Sequence, residues 1–271
     1  MEDRLYDLPE ICGTYFFPQP GGPMPCFERA GPVPLELPDG TPVAGYWNRL
    51  LDDAPTMLYL HGNGECIADQ LGHWPEWARQ AGTNIFFVDY PGYAASAGEP
   101  TFSSCRQAAR AALDYLLSRP RSEVPAALVL GRSVGSIFAL DVAAACADPR
   151  LRGLALESGI ADLRPRLDMR LDYVRLGLDR EELHRQVQRD FDHEVKVQRA
   201  GVPLLLLHTR HDSLVPVDNS ELLARWAGED LLHALVLFEQ GDHNTIQLFN
   251  DVAYREALAG WVAACTGSSR A

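Results

Sequence analysis

Short, continuous apolar runs alternate along this chain with stretches of helix-forming residues. Continuous apolar runs are typical of strands that are buried on both faces of a mainly parallel sheet. Stretches such as 107–119 and 136–147 carry apolar residues at helical spacing and are predicted to be crossover helices. The alternation therefore predicts a three-layer α/β fold, with a mostly parallel central sheet and helices on both faces. The runs are MLYL (57–60), NIFFVDY (84–90), AALVL (126–130), GLALE (153–157), PLLLL (203–207) and ALVLF (234–238).

The N-terminal part of the chain precedes this alternation. Residues 1–30 are rich in proline and glycine and are expected to form an irregular lead-in. Two alternating segments, VPLEL and TPVAGYW, then flank a Pro-Asp-Gly turn at 38–40, which predicts a β-hairpin. No internal repeat or linker divides the chain, so residues 1–271 are expected to form one domain.

One segment is longer than a plain crossover needs. It lies between strands six and seven, where about 45 residues separate GLALE from PLLLL. Within it, the apolar residues over 167–178 fall at helical spacing among many charges. Two interpretations are open: an amphipathic helix on the surface, or a small cap over residues 159–200 that covers a site at the carboxyl edge of the sheet. The apolar residues are Leu167, Leu171, Val174 and Leu178.

The stretch GRSVGS contains Ser133 between two glycines, Gly131 and Gly135. It follows the strand AALVL directly and precedes an alanine-rich helix, which is the strand–turn–helix setting of a nucleophile elbow. Such a turn strains the backbone of the serine, and flanking glycines leave room for it. Ser133 is therefore the candidate nucleophile.

A serine nucleophile needs a histidine base and an acid that orients it, and each is expected after a later strand. Asp212 follows PLLLL in the turn HTRHDSLVP, and His243 follows ALVLF in the loop EQGDHNT. These two residues are the candidate acid and base. Glu157 and Asp162 follow the preceding strand and remain rival candidates for the acid.

Attack on a carbonyl group builds negative charge on its oxygen, so hydrogen-bond donors must face it. The backbone N–H of Val134, which comes directly after Ser133, is one candidate donor. The second is expected in the loop after an early strand, where MLYL runs into HGNGE. The backbone N–H of Asn63 is the natural candidate there.

These motifs together resemble the α/β-hydrolase superfamily, specifically its small single-domain serine hydrolases. The segments that carry the resemblance are HGNGE, DYPGYAASAGEP, GRSVGS, RHDSLVP and GDHNT, and it covers roughly residues 30–265. Two departures are expected to affect loop shape and specificity without removing a catalytic group: Ala94-Ala95 replaces a common glycine, and strand seven ends in His208-Thr209 instead of His-Gly. The resemblance implies an esterase-like or thioesterase-like enzyme that works through an acyl-enzyme and needs no cofactor.

Other functions remain as alternatives. The same triad would also serve acyl transfer or peptide-bond cleavage. A binding protein with this fold but no catalysis is the alternative from a different class. Arg132, beside the nucleophile, is interpreted as a buried and paired structural residue and not as a substrate ligand.

Composition limits the partners of the chain. Its 271 residues carry a formal net charge of −13, which argues against a face that binds duplex nucleic acid or an anionic membrane. No apolar run approaches the length of a membrane span, and the start MEDRLYDLPE has no signal-peptide pattern. We therefore expect a cytoplasmic protein that acts on a small-molecule acyl substrate.

Metal and disulfide chemistry are not expected. The six cysteines are scattered and form no C-x-x-C pair, which favours reduced thiols packed as small apolar residues. His208 and His211 lie close together at a strand end, but no further set of ligands accompanies them. The sequence therefore predicts no metal site.

Overall fold

Each predicted apolar run coincides with a strand of one eight-stranded sheet, apart from one or two residues at the end of some runs. The strands are β1 (Ala30–Glu36), β2 (Pro42–Asn48), β3 (Thr56–Leu60), β4 (Asn84–Val88), β5 (Ala127–Arg132), β6 (Leu151–Glu157), β7 (Leu204–Thr209) and β8 (Leu232–Phe238). Their order in the sheet is β1-β2-β4-β3-β5-β6-β7-β8. From β4 to β8 in that order all neighbours are parallel, whereas β2 runs antiparallel to both β1 and β4. The structure is a computed structural model and describes residues 4–22 and 24–267.

The predicted hairpin joins β1 to β2. Its register pairs Leu35 with Val43, and the turn between them contains Asp39 and Gly40. The Asp39 carboxylate accepts the N–H of Thr41 at 2.9 Å, and Gly40 has a φ of 85°, which favours glycine. Turn chemistry therefore sets this register, as the sequence predicts.

Helices cover both faces of the sheet, because successive side chains of a strand point to opposite sides. Along β3, Leu58 and Leu60 belong to one apolar core, and Met57 and Tyr59 belong to the other. The helices are α1 (Pro9–Tyr15), α2 (Ile67–Gln70), α3 (Trp74–Gln80), α4 (Phe102–Ser118), α5 (Gly135–Ala145), α6 (Arg164–Asp168), α7 (Tyr173–Leu176), α8 (Arg180–Asp190), α9 (His193–Ala200), α10 (Asp218–Leu231), α11 (Ile246–Phe249) and α12 (Asp251–Thr266). Residues of α4, α5, α9 and α10 contribute to the first core, and residues of α3 and α12 to the second. The predicted three-layer α/β fold is confirmed.

The N-terminal lead-in is more ordered than expected. The prediction that it is irregular is wrong for residues 5–15, which form a 3-10 turn (Leu5–Asp7) and α1. Pro9 is suited to the first turn of α1, where its missing N–H costs no helical hydrogen bond. Apolar side chains of the segment, Tyr6 and Ile11 among them, are fully buried in the first core. Residues 1–3, 23 and 268–271, which the predicted lead-in and domain also include, lie outside the described residues.

The insertion between β6 and β7 is built from α6, α7, α8 and α9. The prediction of one continuous amphipathic helix over 167–178 is wrong, since the helix is interrupted between α6 and α7. Asp172 caps α7 by accepting the N–H of Arg175, and Gly177 ends it with a φ of 64°. As a result Val174, expected on the apolar face, is 93% exposed. Whether the insertion acts as a cap stays a prediction.

No helix among residues 4–22 and 24–267 combines the length and the apolar character that crossing a bilayer requires.

Candidate active site

Ser133 lies in the sharp turn between β5 and α5, with a φ of 52° in the left-handed region. The flanking glycines make this turn sterically possible. A Cβ on Gly135 would collide with the backbone carbonyl of Leu60, and a Cβ on Gly131 would approach the Gly135 carbonyl oxygen to 2.5 Å. Strain of this kind is found where the surrounding structure holds a side chain in a required position. Ser133 thus has the backbone geometry of a nucleophile elbow.

The structure brings Ser133, Asp212 and His243 together at the carboxyl edge of the sheet. His243 Nε2 lies 2.9 Å from Ser133 Oγ, and His243 Nδ1 lies 2.7 Å from Asp212 Oδ2. Each residue follows the end of a different strand, namely β5, β7 and β8. Since these strands are parallel neighbours or nearly so, residues far apart in sequence meet at one edge.

Hydrogen bonds hold the Asp212 carboxylate rigidly. Its Oδ1 accepts the N–H of Leu214 at 2.9 Å and that of Val215 at 2.7 Å, which leaves Oδ2 for His243. Burial raises the pKa of Asp212, but hydrogen bonds from His208 and His243 outweigh burial and hold this pKa well below its usual range. These hydrogen bonds therefore favour the anionic form of Asp212 next to the imidazole.

His208 contacts Asp212 and the loop that carries it. Its Nδ1 lies 2.6 Å from Ser220 Oγ, its Nε2 lies 2.8 Å from the Val215 carbonyl oxygen, and the same Nε2 lies 3.3 Å from Asp212 Oδ2. These contacts use both ring nitrogens, so His208, at the end of β7, is held against the loop that carries Asp212. No group of three or more side chains suited to hold a metal occurs in the part of the chain that the structure describes.

The rival acids lie elsewhere. Glu157 is fully buried and bonds to Arg132, Gln247 and Tyr254. Asp162 pairs with Arg164 at 2.8 Å. Neither carboxylate hydrogen-bonds to the candidate base, so the geometry favours Asp212 over both.

One candidate oxyanion donor follows Ser133 directly, and the other lies in the loop after β3, which packs against Gly135 of the elbow. Val134 precedes α5, and the first N–H groups of a helix have no partner within it. Among the hydrogen bonds between described residues, none uses the backbone N–H of Val134 or of Asn63. The Asn63 side chain has a separate task, because its Oδ1 accepts the Phe17 N–H at 2.8 Å and its Nδ2 donates to the Tyr15 carbonyl. The lead-in therefore fixes the loop that follows β3, a contact that the sequence did not indicate.

Arg132 is buried and paired, as the sequence interpretation proposed. Its Nε donates to Glu157 at 2.9 Å, its Nη1 donates to Glu65, and its Nη2 donates to the His243 carbonyl at 2.7 Å. Glu65 in turn accepts the N–H of Gly62 at 3.0 Å. One guanidinium group therefore links β6, the loop after β3 and the loop that carries His243.

Comparison with known proteins identifies the architecture. The chain is 27% identical to the uncharacterized protein YfhR of Escherichia coli K12, over 95% of this chain and 89% of that protein. The esterase Pf2001 of Pyrococcus furiosus superimposes with a TM-score of 0.69 at 19% identity, covering 92% of this chain and 99% of the esterase. An α-β hydrolase from Vibrio vulnificus gives 0.66 at 19% identity, covering 86% and 81% of the two chains. The chain has the α/β-hydrolase fold. No protein-family model matches it.

The α/β-hydrolase fold accounts for the placement of the candidate residues. In this fold the turn after the nucleophile strand and the loops after the later strands meet at one edge of the sheet. The turn with Ser133 and the loops with Asp212 and His243 occupy those places. The contacts of His208 and Arg132 with these loops depend on where their side chains point. The order of the elements along the chain does not determine them.

Proposed function

We propose that the chain is a serine hydrolase that cleaves a carboxylic ester, a thioester or a related small acyl compound through an acyl-enzyme. The observation that carries this proposal is the position of the His243 imidazole. It contacts Ser133 Oγ at 2.9 Å and Asp212 Oδ2 at 2.7 Å, within the distances of a nucleophile–base–acid arrangement.

In the proposed reaction Ser133 Oγ attacks the carbonyl carbon of the substrate, and its proton moves to His243 Nε2. Asp212 orients the ring through Nδ1 and stabilises the imidazolium that forms. Collapse of the tetrahedral intermediate expels the alcohol or thiol, which takes the proton from Nε2. Water, activated by the same imidazole, then hydrolyses the acyl-enzyme and restores the serine.

Charge on the tetrahedral oxygen needs two donors close to Ser133. The backbone N–H groups of Val134 and Asn63 are assigned this role, since Val134 follows Ser133 directly, Asn63 lies in the loop after β3, and neither N–H is used by another described residue. Loss of one such donor in other enzymes costs about 10²–10³ in kcat. The fixed position of the Asn63 loop against the lead-in supports this assignment.

Labelling with a fluorophosphonate probe tests the proposal, because the probe reacts with an activated serine and not with ordinary hydroxyl groups. Wild-type protein should be labelled, and Ser133→Ala should lose both the label and the hydrolysis of a p-nitrophenyl ester. Ser213→Ala is the matched control, since Ser213 is an exposed serine directly after Asp212. It should keep the label.

The alternative of a non-catalytic binding protein makes the opposite prediction. A folded wild-type protein that is neither labelled nor active on any ester would contradict the proposed function. Labelling that persists in folded Ser133→Ala would show that another residue is the nucleophile.

A further inference from the structure

Arg166 is a buried arginine that no described carboxylate neutralises. The arginines that are at least nine-tenths buried among the described residues are Arg132, Arg150 and Arg166. Arg132 pairs with two glutamates and Arg150 pairs with Asp148 at 2.7 Å. Within residues 4–22 and 24–267, no carboxylate lies within ion-pair distance of Arg166. Burial of an unpaired charge costs free energy, so we expect this guanidinium to bind a partner other than a described carboxylate.

The hydrogen bonds of Arg166 do not use the whole guanidinium group. Its Nη1 donates to the Leu214 carbonyl, and its side chain also lies within hydrogen-bonding range of the Tyr15 hydroxyl. Nε is buried without any partner in the described part of the chain. Nε and Nη2 form the planar edge with which arginine binds a carboxylate through two parallel hydrogen bonds.

A second guanidinium lies beside the first. Arg170, one turn further along the chain, stacks over the rings of Tyr15 at 5.2 Å and Phe17 at 5.9 Å. It also has no carboxylate within ion-pair distance among the residues described. Burial raises the pKa of the Tyr15 hydroxyl, and both Arg166 and Arg170 oppose this rise, which places both guanidinium groups near one hydroxyl.

This pair of arginines lies between the loops of the proposed active site. Leu214, which Arg166 contacts, donates its N–H to Asp212. Tyr15 and Phe17, on which Arg170 stacks, are held by the side chain of Asn63. The arginines therefore contact the loop of the candidate acid on one side and, through the lead-in, the loop of a candidate oxyanion donor on the other.

The segment that leads into α6 is fixed beside the nucleophile itself. The N–H of Ile160 donates to Ser136 Oγ at 2.9 Å, and Ser136 Oγ donates to the Ser133 carbonyl at 2.5 Å. Arg166 follows Ile160 by less than two helical turns along the chain. The segment that leads into α6 therefore starts beside the elbow.

We propose that Arg166 and Arg170 bind a carboxylate carried by the acyl substrate, so that the preferred substrates are esters or thioesters of dicarboxylic acids. The proposal rests on the proposed function, because it assigns the acyl group that Ser133 would receive. Arg166 supplies a buried Nε–H that has no described partner, and Arg170 supplies a second positive charge at the more exposed side. Two guanidinium groups without a carboxylate partner attract an anion, even in a chain whose net charge is −13.

A matched pair of substrates tests this proposal: p-nitrophenyl hexanoate and the mono-p-nitrophenyl ester of adipic acid, which differ at the end of a six-carbon chain. The measured quantity is kcat/KM for the anionic ester divided by kcat/KM for the neutral ester, with spontaneous hydrolysis subtracted. Wild type should prefer the anionic ester. Arg166→Gln and Arg170→Gln should each lower the ratio about tenfold or more, the usual effect of removing a charged hydrogen-bond partner. The matched control is Arg175→Gln, an exposed arginine of the same insertion, which should leave the ratio unchanged.

The outcomes separate the two proposals. A wild-type preference for the neutral ester would overturn the carboxylate proposal while leaving the hydrolase intact. So would a ratio within twofold of wild type in both variants. Failure of wild type on both esters and with the fluorophosphonate probe would instead refute the proposed function. If Arg166→Gln does not fold, the half-buried Arg170 supplies the same comparison.

Discussion

Arg132→Met should impair catalysis more than its distance from the reacting atoms implies. The guanidinium donates to Glu157, to Glu65 and to the His243 carbonyl, and it makes no hydrogen bond to Ser133 Oγ. Methionine keeps most of the aliphatic volume but none of the donors. The variant therefore releases the loop of the candidate base and the loop after β3 at the same time.

The size of the stability effect follows from burial. Glu157 is fully buried, and without Arg132 its charge keeps only the neutral donors Gln247, at 2.7 Å, and Tyr254, at 2.6 Å. Removing one partner of a buried ion pair costs about 3–5 kcal/mol. The two remaining donors place the expected loss at about 3 kcal/mol, the lower end of that range.

The size of the catalytic effect follows from geometry. His243 is positioned by its carbonyl bond to Arg132 at 2.7 Å as well as by Asp212. A displacement of about 1 Å at a catalytic group costs roughly 10²-fold in rate. We therefore expect kcat on a p-nitrophenyl ester to fall about 10²-fold, with a much smaller change in KM.

Urea unfolding and ester hydrolysis, measured on the same samples, separate positioning from stability. Arg132→Lys should recover part of the stability, because it restores a buried positive charge, but less of kcat, since a single ammonium group cannot reach all three acceptors. Glu65→Gln should lower kcat with little loss of stability, because it weakens only the link to the loop after β3. If folded Arg132→Met retains kcat within threefold of wild type, Arg132 stabilises the fold and does not position His243.

Two further predictions follow from the buried ionisable groups. Asp212→Asn should lower kcat/KM roughly 10⁴-fold, as in other triads, and move the acid limb of the pH–rate profile to lower pH, because the imidazolium loses its negative neighbour. Burial lowers the pKa of His193 to about 4, below the ~6.5 of a free histidine. Between these values the unfolded state binds the extra proton, so stability should rise with pH, and His193→Asn should remove about 1.4 kcal/mol per pH unit from that slope in urea unfolding.

Each of these predictions has a clear contrary result. Asp162→Asn is the control for the acid, since its carboxylate pairs with Arg164, and it should stay near the wild-type rate. A collapse of that variant with an active Asp212→Asn would move the acid to the loop after β6. An unchanged pH slope in His193→Asn would mean that His193 is already protonated or exposed in the folded state.

The strands and the chain order of the candidate site were predictable because they depend on local patterns. Apolar runs mark strands that are buried on both faces, and parallel strands carry their following loops to one edge of the sheet. Ser133, Asp212 and His243 follow three such strands, so their proximity follows from topology alone. Their roles in catalysis stay a prediction.

What the sequence did not predict depends on side-chain directions and on contacts over long separations. Asn63 binds residues 15–17, and no local pattern records a contact over more than 40 positions. The break between α6 and α7 did have a signal, because Asp172 and Gly177 are a helix cap and a helix stop. The helical spacing of the apolar residues over 167–178 favoured a single helix instead.

Arg132 and Arg166, the two buried arginines near the site, differ in how their charge is compensated. This difference predicts a result that can be measured by ligand binding, without turnover of a substrate. Arg132 is neutralised by glutamates of the chain, whereas Arg166 is not. A ligand that binds only the folded state stabilises it by about 2.7 kcal/mol at a concentration of 100 Kd. Hexanoate at pH 7 should therefore raise the Tm of wild type by several degrees, and hexanamide, which has the same chain without the charge, should not. The shift should disappear in Arg166→Gln and persist in Arg175→Gln. An equal shift with hexanamide would mean that the acyl chain alone is recognised, and the unpaired guanidinium would then have no carboxylate to bind.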